Sequence, residues 1–107
     1  MPIQFPTNTD LPALQLYIKK ICEERGWSQD SPEEKFILFM EEIGELAKAI
    51  RQQKNLYNEH TKFNPLNLAE EFADVLSYLL DLANVFEVDL ATAFKAKELI
   101  NSKRNWD

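Results

Sequence analysis

Apolar residues in this chain recur at spacings of three and four and almost never alternate strictly. That pattern restricts the chain to helices. Only Gly26 and Gly44 are glycines. Four helices are predicted. The first runs from about Leu11 to Arg25, with Asp10 as its cap, Pro12 in its first turn and Gly26 as its stop. The second opens on Ser31-Pro32-Glu33-Glu34, where Ser31 caps, Pro32 takes the first position and Glu34 completes a capping box. It continues to about Gln53. The polar stretch 55–65 ends in Asn-Pro and reads as a loop. The third helix runs from about Leu66 to Val85, and the fourth, capped by Asp89, from Leu90 to about Lys103. The expected fold is all-α, a four-helix bundle.

A length of 107 residues suggests one domain, 1–107. Hydrophobic residues make up 45% of it, too many for a disordered chain. There is no apolar run of about 18 residues, so no membrane partner is expected. The opening MPIQFPTNTD has neither the basic start nor the apolar middle of a signal peptide. With a lone cysteine, Cys22, a reducing cytoplasm is the simplest expectation. The net charge of −6 disfavours nucleic acid as a partner.

Residues 39–50, FMEEIGELAKAI, place Glu41, Glu42 and Glu45 among residues with apolar periodicity. At roughly 100° per residue, Glu42 and Glu45 lie beside the apolar stripe, on a side shared with Leu38 and Ala49. Glu41 points toward Lys48 and Gln52. In the third helix Glu71 and Asp74 are neighbours at i, i+3. Tyr78, Asp81 and Val85 extend their line. Two helices joined by a short loop pack antiparallel, and equal offsets then bring both acidic lines to one edge of the seam. Four carboxylates, Glu42, Glu45, Glu71 and Asp74, should face a common groove. Like charges at i, i+3 repel by a few tenths of a kcal/mol in water, and more where the groove is dry. Protons or cations must offset this. An all-oxygen donor set selects Mg²⁺ or Mn²⁺ over zinc and leaves positions for water and substrate phosphates.

EEIGE (41–45), a spacer of 25 residues and EFAD (71–74) resemble the EExxE…ExxD signature of MazG-like nucleoside triphosphate pyrophosphohydrolases. The flanking EEIGELAKAI and EEFADVLSYLLDLA are similar to that family's two core helices. The resemblance implies a Mg²⁺-dependent enzyme that cleaves a nucleoside triphosphate between the α and β phosphates. It implies Glu42, Glu45, Glu71 and Asp74 as metal ligands, with Glu41 supporting. It also implies assembly as a dimer or dimer of dimers, with sites at subunit boundaries. The role of clearing noncanonical or excess deoxynucleotides goes with it. Two further segments resemble the small dCTP-type members. ERGW (24–27) places Trp27 where a base would stack, and Tyr78 falls near the sugar. KELINSKRNW (97–106) sets Lys97, Asn101 and Arg104 on one face, which suits phosphate oxygens. This chain lacks the proline that usually follows the closing aromatic, and no histidine near its first helix is placed to contact a base.

Each residue also has a plainer reading. Trp27 can cover the core, Tyr78 can be a core-edge residue, and Lys97, Asn101 and Arg104 can form a solvated face. His60 lies in the polar loop, and Trp106 can dock the tail. A di-iron site would need Glu-x-x-His motifs, which are absent. The remaining alternative is a non-enzymatic acidic helical module that binds a basic partner. A surplus of apolar stripes favours an obligate oligomer: Ile37 and Leu38 on the second helix, and Tyr78, Leu80 and Val85 on the third.

Overall fold

The structure is a computed structural model that describes residues 3–54 and 65–104. Among these residues the chain forms α1 (Leu11–Glu24), a 3₁₀ turn (Trp27–Gln29), α2 (Pro32–Gln53), α3 (Pro65–Val85) and α4 (Leu90–Ser102), with no strand. The all-α expectation holds, with boundaries within one residue or so. The polar loop and its His60, like Trp106, lie outside the described residues. No helix among the described residues is long and apolar enough to cross a membrane.

The caps explain where the helices begin. Asp10 Oδ1 accepts from Ala13 N at 3.0 Å. Ser31 Oγ accepts from Glu34 N at 3.1 Å and donates to Glu34 Oε1 at 3.2 Å. Asp89 Oδ1 accepts from Thr92 N at 3.2 Å. Each bond satisfies a helix N–H that has no partner within the helix. Gly26 adopts φ +78°, a left-handed conformation that glycine takes without strain. It ends α1 and turns the chain into Trp27.

The core is small. Ile18, Ile21 and Cys22 of α1 meet Leu80 of α3, and Leu11, Leu14, Tyr17 and Leu90 pack around them. A polar knot closes one end. Gln15 Nε2 donates to Asn84 Oδ1 and to the Val88 carbonyl, at 3.1 and 2.6 Å. Its Oε1 accepts from Leu90 N, and its carbonyl accepts from Asn84 Nδ2, both at 3.1 Å. One side chain thus ties α1 to the corner between α3 and α4.

Helices α2 and α3 are antiparallel. Lys35, near the start of α2, meets Asp81 near the end of α3, while Glu42 faces Glu71 and Asp74. The seam departs from the sequence reading. Large apolar side chains beside the seam stand open: Phe36 is 51% exposed, Met40 49%, Phe72 54% and Phe86 62%, while Ile43, Leu46, Val75 and Leu82 are half-buried. The line that turns inward on α2 is Lys35, Glu42 and Ala49, spaced at seven residues. Lys35 and Ala49 on it are 3% and 2% exposed. The helices meet along their acidic lines, and several large apolar side chains face outward. The Cα radius of gyration, 16.8 Å, exceeds the ~13 Å of a compact chain of this length.

Candidate metal centre and adjoining cleft

Glu42 on α2 and Glu71 and Asp74 on α3 each offer a carboxylate oxygen, and the three oxygens lie within 4.8 Å of one another. Their helices fix this arrangement. The i, i+3 spacing stacks Glu71 and Asp74 on one face, and antiparallel pairing brings Glu42 opposite them. One oxygen, Glu71 Oε2, is buried with no hydrogen-bond partner. Such a group is costly unless something is there to meet it.

Electrostatics agree with the geometry. Burial raises the Glu42 carboxyl above its ordinary range, and the charges of Asp74, Glu71, Glu45 and Glu41 push it further. The Glu71 carboxyl is raised too, by burial first and then by Asp74, Glu45 and Glu70. Glu45 is exposed and stands outside the close triangle, yet its charge acts on both groups. Glu41 is exposed, as its direction on the helix predicted. Three carboxylates converge with one oxygen unsatisfied, and the donors are all oxygen. This set fits a hard divalent cation.

Beside the triangle lies a cleft of about 510 Å³. Asp74 and Tyr78 border it on the metal side, and Trp27 also lines it. Ile18, Ile21 and Leu38 supply apolar wall. Trp27 is 48% exposed, and the Arg25 guanidinium lies 5.1 Å from its ring centroid, a cation–π arrangement that holds the indole in place. Burial raises the Tyr78 hydroxyl pKa, and Glu42, Asp74 and Asp81 add to the effect, so the tyrosine remains a neutral donor. The structure therefore places Trp27, Tyr78 and Asp74 on one cavity. Lys97 and Asn101 belong to α4 and Arg104 follows its C-terminal cap, and none of the three lines the cleft.

One feature of the cleft was missed from the sequence. Lys35 Nζ donates to Asp81 Oδ1 and Oδ2 at 2.9 and 2.8 Å, and the two side chains are 4% and 17% exposed. Both line the cavity. The signal was a register. Lys35 precedes Glu42 by seven residues and Asp81 follows Asp74 by seven, so each falls on its helix's acidic line. The Cys22 thiol, within hydrogen-bonding reach of Asp81, is pushed up to about 11, chiefly by burial and then by the Asp81 charge. It is an inert thiol at neutral pH.

A model of the MazG nucleotide pyrophosphohydrolase domain matches residues 31–103, which contain all four carboxylates. The uncharacterized protein YvdC of Bacillus subtilis (strain 168) is 31% identical over 97 residues, spanning 82% of this chain and 89% of that one. A dATP/dGTP diphosphohydrolase of Cyanophage S-2L is 38% identical over 63 residues, spanning 59% of this chain and 56% of the phage protein.

Proposed function

The chain belongs to the MazG nucleotide pyrophosphohydrolase family, and from that premise we propose that it hydrolyses (d)NTPs to (d)NMPs and pyrophosphate with the help of Mg²⁺. The observation that carries the reading is the Glu42–Glu71–Asp74 triangle with its buried, partnerless Glu71 oxygen. On a solvated acidic face that binds a basic partner, water would reach that oxygen.

Glu42, Glu71 and Asp74 would hold the cation, with Glu45 as a fourth oxygen donor. A bound divalent ion neutralises phosphate charge and lowers the pKa of an attacking water. Glu41 adds negative charge beside Glu42. Trp27 stacks on the base, and Tyr78, between metal and cleft, contacts the sugar. Because the Glu42 and Glu71 carboxyls hold protons more tightly than usual, loading the site releases protons, and metal affinity rises with pH. The phage relative is named for dATP and dGTP, which supports deoxynucleotides as substrates here and a clearing role for the enzyme. Its proposed setting is the cytoplasm.

A panel of nucleoside triphosphates with Mg²⁺, scored for product, tests the reaction. Pyrophosphate is expected with the matching monophosphate. Release of single phosphate, or of nothing, rejects the assignment.

We also propose a dimer or dimer of dimers. The exposed Phe36, Ile37, Met40, Phe72, Phe86 and Phe94 form more apolar surface than a stable monomer carries. In such an assembly Lys97, Asn101 and Arg104 of one subunit reach the phosphates held by another. Light scattering at low micromolar concentration should give at least twice the chain mass, and a monomer overturns the proposal.

A further inference from the structure

The ion pair in the cleft has more to do than join two helices. Lys35 lies seven residues before Glu42, and Asp81 seven after Asp74. Both therefore sit two turns, about 10 Å, from the carboxylate triangle. The intervening cavity is bounded by Trp27, Tyr78 and Leu38. A nucleotide whose phosphates lie at the triangle and whose base enters this cavity shares its walls with the pair, since Asp74, Trp27, Lys35 and Asp81 all line it. Ammonium has three N–H donors and carboxylate about four acceptor positions. A bidentate contact, even with the Cys22 thiol added, leaves capacity on both groups.

We infer that Lys35 and Asp81 determine base specificity by selecting bases that carry an exocyclic amino group on the edge facing the floor of the cleft. This deepens the nucleotide reading of the site and rests on it. Asp81 is the more exposed partner, 17% against 4%, so an incoming base meets the carboxylate first. An amino group donates to that carboxylate, and the adjacent ring nitrogen accepts from the Lys35 ammonium. Cytosine and adenine present this order. Uracil and hypoxanthine present a carbonyl in place of the amino group, setting lone pairs against a carboxylate. They are rejected by repulsion as well as by the lost bond.

The test uses pairs of substrates that differ only on this edge, dCTP with dUTP and dATP with dITP, under Mg²⁺. The intact enzyme should favour the amino member of each pair by about ten- to hundred-fold in kcat/KM. In the double variant K35M/D81L that ratio should fall to near one. In D81N, whose amide also donates, it should narrow or invert. A purely structural pair would lower both members together and leave the ratios alone; that result overturns the inference, as does an intact enzyme that does not discriminate. Metal-free calorimetry with dCMP and dUMP provides a readout independent of turnover and of the variants' folding. The intact protein should bind dCMP more tightly, and equal affinities overturn the role of the pair. A preference for dCMP without any pyrophosphate release would reject the reaction and keep the pair; pyrophosphate release with equal affinities would do the reverse.

Discussion

Glu42→Gln will remove stoichiometric Mg²⁺ binding, lower kcat/KM for pyrophosphate release by more than about 100-fold, and make the metal-free protein more stable. Loss of a partner that merely supports a metal ligand costs 10–100-fold, and a direct ligand exceeds that. At 100-fold the loss in transition-state stabilisation is about 2.7 kcal/mol. The gain in stability has a separate cause. Glu42 is a half-buried carboxylate that faces Glu71 and Asp74, and the charges acting on it, those of Asp74, Glu71, Glu45 and Glu41, are all negative. Glutamine keeps nearly the same shape and removes the repulsion.

The pH dependence follows from the direction of the shift. A carboxyl raised in the folded state holds its proton where the unfolded chain has already released it. Folding is then coupled to proton uptake, and stability falls as pH rises. The loss begins near the ordinary value of 4.5 and is complete once the pH passes the raised folded value. Glu71 shifts in the same direction and adds to the slope. Metal-free wild type should therefore unfold at a higher temperature at pH 5 than at pH 8. Glu42→Gln should flatten that slope. Mg²⁺ at 100 times its Kd should add about 2.7 kcal/mol to the wild type and little to the variant. Scanning calorimetry with and without Mg²⁺ measures all three. A variant that binds metal as before, or that melts lower than wild type at pH 8, contradicts the proposed site.

Local signals fixed the helices. Asp10, Ser31 and Asp89 each sit just before an apolar-periodic run, and each caps it, because capping depends on residues three apart. The acidic register was legible for a related reason. Glu71 and Asp74 share a face by spacing alone, and antiparallel pairing supplies Glu42. The face that forms the seam was not legible. An apolar stripe shows that water is to be kept off, not which surface keeps it off. Phe36, Met40, Phe72 and Phe86 accordingly stay open, and Leu80, expected among the surplus apolar residues with Ile37 and Leu38, is instead buried with Ala49 and Ala83. Gln15 was passed over because its four partners lie on residues remote in sequence. Nothing local marks Lys35 as buried, since its burial depends on an acid 46 positions away.

That lysine carries the other large effect. Asp81→Ala should destabilise the protein by about 3–5 kcal/mol, the cost of stranding one member of a buried ion pair. The total stability of a domain is about 5–15 kcal/mol, so the melting temperature should drop by more than about 10 °C. The cause is desolvation. Lys35 is 3% exposed, and without the carboxylate its ammonium must lose its proton or draw water into the seam. K35M/D81L removes both charges and fills similar space. Replacing a whole buried pair in this way is often neutral or stabilising. The double variant should accordingly melt well above Asp81→Ala, and the cycle of wild type, Lys35→Met, Asp81→Leu and K35M/D81L should be strongly non-additive. Guanidinium melts of these proteins at matched concentration provide the comparison. If Asp81→Ala and the double variant lose the same stability, the cost comes from lost packing between α2 and α3 and not from a stranded charge.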